Sequence, residues 1–308
     1  MWYLNGVSRG DFREALQALL GREVVGLSAE TIVRRTAVWQ REDETWRQRD
    51  LSGSRSVYWW GDGISCNVRW DTDRQCLLVV IGARLDGTKE LLALEEGFRE
   101  SADSGRSVWR ALKRRGLTQG PPVASGDGAW GFWAAWAEEF PSTQHQLCGV
   151  QQTANGLDTL PTSLPATAKS MLHDRSLAPT QHAADAAWAC GLATCAEQDP
   201  QAVAGLTAHR DERVTGYAAP AEHGPSLRST NVIASTFATV RLRTKRTKGC
   251  GSRLATLTMG FQLIESAATR WHRLRGYRPL ADGLHGVPVH EGVPVEATGQ
   301  RAPEPVGG

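Results

Sequence analysis

Two aspartates flanked by glycine are the residues of this chain best placed for phosphoryl-transfer chemistry. Asp62 lies in the segment WGDGI (60–64), and Asp127 lies in SGDGA (125–129). Carboxylate oxygens are hard ligands that suit Mg²⁺ or Mn²⁺, and the glycines leave room for an ion and a phosphate. Two such ions about 3.5–4 Å apart can stabilise both the attacking and the leaving oxygen of an in-line transfer.

The elements that must position these aspartates are strands of one sheet. Residues 56–60, 64–70 and 75–83 predict three consecutive antiparallel strands, with Asp62 at the end of the first. Residues 121–125 predict a fourth strand that ends at Asp127. A lone Asp-Gly pair is typical of a turn. In this sheet, however, a parallel fourth strand would neighbour the first, so the two carboxylates would converge.

The other elements follow in an order typical of one fold class. We predict a basic amphipathic helix at 105–116, a tryptophan-rich helix at 130–140 packed on the sheet, a fifth strand at 146–150 and an alanine-rich helical stretch at 151–217. Two late helices follow, at 231–243 and from 253 to about 275, and Ser252 caps the second of them. This order predicts an α/β, ribonuclease H-like mixed sheet with an all-helical insertion before the last catalytic helix.

The chain divides into three predicted regions. Residues 1–50 have helical patterns, with Ser28 as a helix cap, and fit a partial helix-turn-helix-like DNA-binding segment or a plain helical hairpin. Residues 51–285 form the catalytic domain, including the insertion at about 151–217. Residues 286–308 are rich in Gly and Pro and are expected to be a disordered tail.

Composition excludes several protein classes. The 41% hydrophobic and 22% charged residues are typical of a globular protein. No apolar run is long enough for a transmembrane helix, and the N-terminus lacks the pattern of a secretory signal. Six cysteines without paired spacing indicate reduced thiols. We therefore expect a cytoplasmic protein with no membrane partner.

A run of basic residues indicates a polyanionic partner. No acidic residue interrupts it, and its density suits neutralisation of the DNA backbone. A solvated helix face is the alternative interpretation. The candidate DNA-binding residues are Arg241, Arg243, Lys245, Arg246, Lys248 and Arg253.

The stretch STNVIASTFATVRLRT (229–244) and the basic run after it carry the most specific family signal. They resemble the last catalytic motif of Mutator-type transposases of bacterial insertion sequences. Further matching stretches, which extend the resemblance over roughly residues 3–285, are 3–8, 50–52, 62–64, 77–82, 89–91, 97–101, 126–133, 153–155 and 220–223.

The resemblance implies an activity and a site. Such enzymes use a DDE carboxylate triad on a ribonuclease H-like fold, bind terminal inverted repeats, and cleave and transfer DNA strands with Mg²⁺ or Mn²⁺. By this resemblance Asp62 is the first carboxylate and metal ligand, and Asp127 is the second. The implied partners are the terminal repeats, target DNA and further copies of the same chain, and the implied location is the bacterial nucleoid.

Several positions depart from the family pattern. Ala234 stands where the third carboxylate, a glutamate, is usual, and alanine cannot bind a metal. Gln151 replaces a histidine and Gly224 a large aromatic residue. Glu222 and Glu265 are other carboxylates near this motif, but neither is expected to substitute. The chain also begins inside the family's N-terminal region, so we expect a shortened DNA-end-binding segment.

These observations lead to one main interpretation and two alternatives. We expect an insertion-sequence transposase that is catalytically impaired because Ala234 replaces the glutamate. The first alternative is a non-catalytic DNA-binding remnant that acts as a repressor or inhibitory subunit. The second is an unrelated ribonuclease H-like nuclease or resolvase, against which the motif at 229–253 argues.

Overall fold

A computed structural model describes much of the chain between residues 29 and 294. The described residues are 29–68, 75–98, 101–128, 130–149, 170, 174–175, 178–198, 215–220, 222–246, 252–274, 289–290 and 293–294. Their helices are α1 (Ala29–Gln48), α2 (Ala102–Arg114), α3 (Trp130–Glu139), α4 (Gln181–Gln198), α5 (Gly224–Leu227), α6 (Asn231–Arg246) and α7 (Arg253–Ala268), with a 3-10 turn at Thr215–Ala218. Their strands are β1 (Ser56–Cys66), β2 (Gln75–Arg84), β3 (Lys89–Glu96), β4 (Val123–Gly126), β5 (Gln144–Leu147), β6 (Val289–His290) and β7 (Val293–Pro294).

The five strands β1–β5 form one mixed sheet in the order β3-β2-β1-β4-β5. The pairs β1–β2 and β2–β3 are antiparallel, whereas β1–β4 and β4–β5 are parallel. Parallel neighbours need crossover connections, and α2 and α3 lie in the connections that lead into β4 and β5. The predicted α/β class with a mixed sheet is confirmed, as is the adjacency of the first and fourth strands.

The antiparallel strands differ from the prediction. Residues 56–66 form one continuous strand instead of two strands that separate at Asp62, and the third strand is β3, at Lys89–Glu96. Gly61 and Gly63 do not interrupt β1 because both have partners on β2, Val80 and Leu78. The prediction that Asp62 ends a strand is therefore wrong, since β1 continues to Cys66.

Smaller differences concern the ends of elements. The fifth strand covers Gln144–Leu147 instead of 146–150. Ser252 caps α7 as predicted, since its side chain accepts a hydrogen bond from the Ala255 N–H at 3.2 Å, but the helix ends at Ala268 instead of continuing to about residue 275. Within the predicted tail, β6 and β7 pair antiparallel.

One face of the sheet packs against α2 and α3 through aromatic rings. Trp59 of β1 is fully buried and stacks nearly parallel to Trp109, with ring centroids 6.1 Å apart. Trp136 lies 4.3 Å from Trp109 and 5.7 Å from Trp59 by the same measure. This cluster explains the helical spacing of the aromatic residues in α3, from which we predicted a helix packed on the sheet.

The other face packs against α6 and α7. Trp60 and Ile64 of β1 share an apolar cluster with Ile233 and Phe237 of α6, and all four are almost completely buried. Since side chains alternate along a strand, Trp59 and Trp60 serve opposite faces. This face is the one on which the candidate site lies.

The N-terminal helix α1 begins directly after Ser28 and packs beside α7. The ring centroids of Trp46 in α1 and Phe261 in α7 lie 5.1 Å apart. Residues 1–28, Gln151, Lys248 and most of the predicted insertion lie outside the described residues. The proposed limits of the three regions therefore stay predictions.

Candidate functional site

Asp62 and Asp127 directly follow the last paired residues of two adjacent parallel strands, Asp62 inside β1 and Asp127 just after the end of β4. The register of β1 and β4 pairs Trp60 with Ser125 and then Gly61 with Gly126. Asp62 and Asp127 are the residues that follow this last pair. Adjacent strands are about 4.8 Å apart. The sequence-based prediction that these two residues converge agrees with this register, although Asp62 lies inside its strand.

The glycines before the aspartates show which face the carboxylates use. A Cβ added to Gly61 would lie 2.8 Å from Cε1 of Phe132, and one added to Gly126 would lie 2.7 Å from Cζ2 of Trp133. Both glycines therefore face the rings of α3. Alternation along β1 directs the following residue, Asp62, to the opposite face, where α6 packs, and Asp127 directly follows Gly126 at the end of β4. Asp127 is 7% exposed, and Asp62 is partly buried.

The segment before α6 follows the direction of β1 toward these carboxylates. It is held first by the contact between Nδ1 of His223 and the Tyr58 hydroxyl, at 2.9 Å. The Trp60 indole N–H then donates to the Ser226 carbonyl at 2.9 Å, and the Ser125 hydroxyl donates to the Leu227 carbonyl at 2.7 Å. This series of bonds brings the chain to the carboxyl end of β4.

Helix α6 begins beside β5. The Gly149 N–H donates to the Arg228 carbonyl at 2.8 Å, and the Thr230 N–H donates to the Cys148 sulfur at 3.3 Å. The Thr230 carbonyl accepts the N–H of Ala234 at 2.8 Å, which is the first turn of the helix. Ala234 is therefore partly buried in the turn of α6 that starts at the end of β4 and β5.

The other two carboxylates considered from the sequence lie elsewhere. Glu265 lines a cavity of about 360 Å³ at the far edge of the sheet, together with Trp46, Arg49 and Lys89. Burial raises the pKa of Glu265, against a smaller opposing effect of Arg49. Glu222 is exposed and directly precedes His223, the residue that contacts the beginning of β1. Neither residue adjoins the Asp62–Asp127 position.

The donors present fit only part of a two-metal site. Two adjacent carboxylates are suitable ligands for a hard divalent cation. Within the described part of the chain, no three His, Cys, Asp or Glu side chains come together as a metal site. Ala234, the position at which the family pattern predicts a third carboxylate, carries only a methyl group.

The structure describes the candidate DNA-binding residues unequally. Arg241 is exposed on α6, and the backbones of Arg243, Lys245 and Arg246 continue the same helix. Arg253 lies at the start of α7, where its guanidinium forms an ion pair with Glu96 at 2.5 Å. The predicted basic run is therefore divided between two helices, and the α6 part is the one that leads away from the carboxylates.

Sequence reasoning missed the residues that hold α6 in place. The partners Tyr58 and His223 are 4% and 0% exposed, and burial raises the pKa of the Tyr58 phenol. Cys148 and Thr230 are equally hidden, at 0% and 5%. From the sequence, 220–223 is only a stretch that matches the family pattern and Cys148 is only part of a predicted strand at 146–150, and their partners are more than 80 positions away in the chain.

Comparison with known proteins gives consistent results over nearly the whole chain. A family profile described as "Transposase, Mutator family" matches residues 1–273. The chain is 46% identical over 290 residues to "Transposase for insertion sequence element IS6120" of Mycolicibacterium smegmatis, covering 94% of this chain and 89% of that protein. It is 39% identical over 293 residues to "Transposase for insertion sequence element IST2" of Acidithiobacillus ferrooxidans, covering 93% and 97%.

A more distant relative matches over a shorter part. The chain is 30% identical over 173 residues to "Transposase for insertion sequence element ISRM5" of Rhizobium meliloti (strain 1021), covering 55% of this chain and 42% of that protein. Among the described helices, none is both long and apolar enough to cross a bilayer.

Proposed function

Because the chain belongs to the Mutator family of insertion-sequence transposases, we propose that it is a DNA transposase whose own strand-cleaving site is impaired. The observation that carries this proposal is the position of Ala234. It lies in the first turn of α6, which starts beside the carboxyl ends of β4 and β5, and a third carboxylate there would complete the proposed site. On this proposal the chain keeps the scaffold for the chemistry and lacks one ligand of it.

The strand order supports the proposal that the catalytic domain is ribonuclease H-like. Three antiparallel strands are extended by two parallel strands that α2 and α3 precede. Carboxylates at the meeting of the first and fourth strands would then be the DDE residues. A fold by itself does not establish function, so the proposal depends on these carboxylates and on family membership together.

Asp62 and Asp127 would hold Mg²⁺ or Mn²⁺. When bound, such an ion stabilises negative charge on phosphate oxygens and lowers the pKa of a coordinated water. The residues of this chain contribute position: β1 and β4 fix the two carboxylates side by side, and the rings of α3 behind Gly61 and Gly126 keep the sheet from shifting there. Ala234 adds no ligand, which lowers both ion occupancy and transition-state stabilisation.

DNA would bind along α6. Arg241 is exposed on α6, and the same helix continues through Arg243, Lys245 and Arg246, so basic residues follow position 234 along one helix. Arg253, at the start of α7, and Lys248, which lies outside the described residues, are the remaining candidates. Contacts of this kind neutralise phosphates without reading bases, so binding should weaken steeply with salt. Terminal repeats, target DNA and a second copy of the chain are the proposed partners.

The test restores the missing ligand. We expect Ala234→Glu to gain Mg²⁺- or Mn²⁺-dependent nicking of DNA that carries the parent element's ends, and the unmodified chain to show little or none. Ala234→Gln is the matched control, because it has nearly the same size without the charge. Asp62→Asn in the Ala234→Glu protein should abolish the gained activity. Vigorous cleavage by the unmodified chain would refute the proposed impairment.

A second function follows from the same observation. A chain that binds transposon ends without cutting them would compete with active copies, so it could act as a repressor or inhibitory subunit. The cations of α6 and the missing ligand at Ala234 favour this possibility. Mixing the unmodified chain with the Ala234→Glu protein tests it: inhibition of nicking in proportion to added chain supports it, and undiminished nicking argues against it.

A further inference from the structure

We infer that Cys148 is a positioning residue for the third corner of the site, a role that rests on the proposed function. Three hydrogen bonds in series connect residue 234 to the last residue of β4, which directly precedes Asp127. They run from the Ala234 N–H to the Thr230 carbonyl (2.8 Å), from the Thr230 N–H to the Cys148 sulfur (3.3 Å), and from the Cys148 N–H to the Gly126 carbonyl (2.7 Å).

The sulfur of Cys148 is the only side-chain atom in this series. It also lies 3.4 Å from the Thr230 hydroxyl, so it meets both polar groups of the residue that begins α6. Cys148 is completely buried and forms no disulfide. A sulfur is a weak hydrogen-bond acceptor, but in a buried position its loss would leave the Thr230 N–H without this partner. An unpaired buried donor is costly, so the start of α6 would move.

Movement of the start of α6 matters because residue 234 is only one turn away. Ile233 anchors the inner face of that turn in the core, and Gly149 holds the Arg228 carbonyl on the other side. Cys148 adds the contact that sets the turn relative to Gly126, and therefore relative to Asp127. A ligand introduced at residue 234 would meet the two aspartates only if this contact is kept.

Buried cysteine suits this role by its size and chemistry. The side chain is small enough to fit between β5 and α6, and it behaves as a small apolar group with a polarisable sulfur. Alanine would remove the acceptor and leave a small void. Serine would keep an acceptor, but its shorter bond to Cβ places the oxygen farther from Thr230. The two substitutions should therefore differ in degree.

The experiment is a double-mutant cycle read by Mn²⁺ binding, without DNA and without turnover. Free Mn²⁺ is measured by electron paramagnetic resonance with the full-length unmodified chain, Ala234→Glu, Cys148→Ala and the double variant. We expect Ala234→Glu to tighten Mn²⁺ binding and Cys148→Ala to reverse that gain by about tenfold or more, as supporting residues of metal sites do. In the Ala234 background, Cys148→Ala should leave Mn²⁺ affinity nearly unchanged.

The possible outcomes distinguish the role of Cys148 from the proposed metal site. If Ala234→Glu tightens binding and Cys148→Ala does not weaken it, the role of Cys148 is refuted while the proposed site stands. If Ala234→Glu gives no gain, the assignment of residue 234 and the proposed site are refuted. Cys148 is then judged by hydrogen exchange: faster exchange of the amides at 230–234 in Cys148→Ala supports its hold on α6, and unchanged exchange refutes it.

A second variant covers loss of folding. If Cys148→Ala does not fold, Cys148→Ser is placed in the Ala234→Glu protein. We expect Mn²⁺ affinity between that of the unmodified chain and that of Ala234→Glu alone. An affinity equal to that of Ala234→Glu would refute the positioning role, because the sulfur would then be replaceable without consequence.

Discussion

The Tyr58 hydroxyl and Nδ1 of His223 lie 2.9 Å apart in the interior of the protein, 165 positions apart in the chain. Their rings also meet edge to face, with centroids 5.5 Å apart. Tyr58 belongs to the strand that carries Asp62, and His223 begins the segment that leads to α6. This contact therefore fixes one end of the connection between the two parts of the site.

Removal of that hydroxyl should destabilise the protein. Tyr58→Phe keeps the ring but takes the hydrogen-bond partner from a buried histidine nitrogen, which we expect to cost about 1–3 kcal/mol. The free energy of unfolding, measured with urea, checks this. The slope of the unfolding transition serves as the internal control, because it should stay constant if the fold is intact. An unchanged midpoint would show that the contact contributes nothing to stability.

Two glycines provide a matched test of the packing behind the carboxylates. Gly61→Ala would place a methyl group 2.8 Å from Phe132 and 3.1 Å from Trp136, whose rings are packed against Trp109 and cannot move freely. We expect a loss of about 1–3 kcal/mol from this overpacking. Gly53→Ala is the control, since its new methyl group meets nothing within 4 Å. Equal stabilities of the two variants, measured by thermal unfolding, would contradict the prediction.

Stability should decline in mild acid because of His145. Its ring lies 4.4 Å from that of Trp133, between centroids, and burial lowers its pKa to about 4. The unfolded histidine titrates near 6.5. Between these pH values the unfolded chain binds a proton that the folded chain does not. The stability that neutral His145 contributes is therefore complete above about pH 6.5 and is lost as pH falls toward 4.

The variant His145→Gln isolates this effect from that of the acidic groups. Between pH 7 and pH 5, we expect the unfolding free energy of the unmodified chain to fall more than that of the variant. The difference between the two falls should be on the order of 1–2 kcal/mol. Urea titrations at several pH values measure the difference. Parallel pH profiles for the two proteins would show that His145 is not responsible.

DNA affinity should depend on α6 and not on basic residues in general. Arg241→Ala is expected to weaken binding similarly for all sequences and to reduce the slope of log affinity against log salt by about 1. Arg110→Ala is the control: Arg110 lies on α2, across the sheet, and is paired with Glu139 at 3.1 Å. Fluorescence anisotropy at several salt concentrations compares them. If the Arg110 variant lost as much affinity, α6 would not be the DNA-binding surface.

Local pattern predicted much of the fold correctly. The apolar run of β2, the tryptophan spacing of α3 and the Ser252 cap of α7 are each determined by residues close together in the chain. Local pattern failed at Asp62, where residues 56–60 and 64–70 were predicted to form two separate strands. Pairing with β2 extends β1 through Gly61 and Gly63, and this pairing depends on residues that lie far away in sequence.

The sequence by itself determined the family, the two aspartates as candidates and the alanine at position 234, because these are matters of residue identity. Tertiary structure decided which of these residues meet. The register of β1 and β4 sets Asp62 beside Asp127, and the contacts of His223 and Cys148 bring the start of α6 to the same end of the sheet. Such contacts join residues distant in the chain, and their geometry exists only after the sheet and helices have packed.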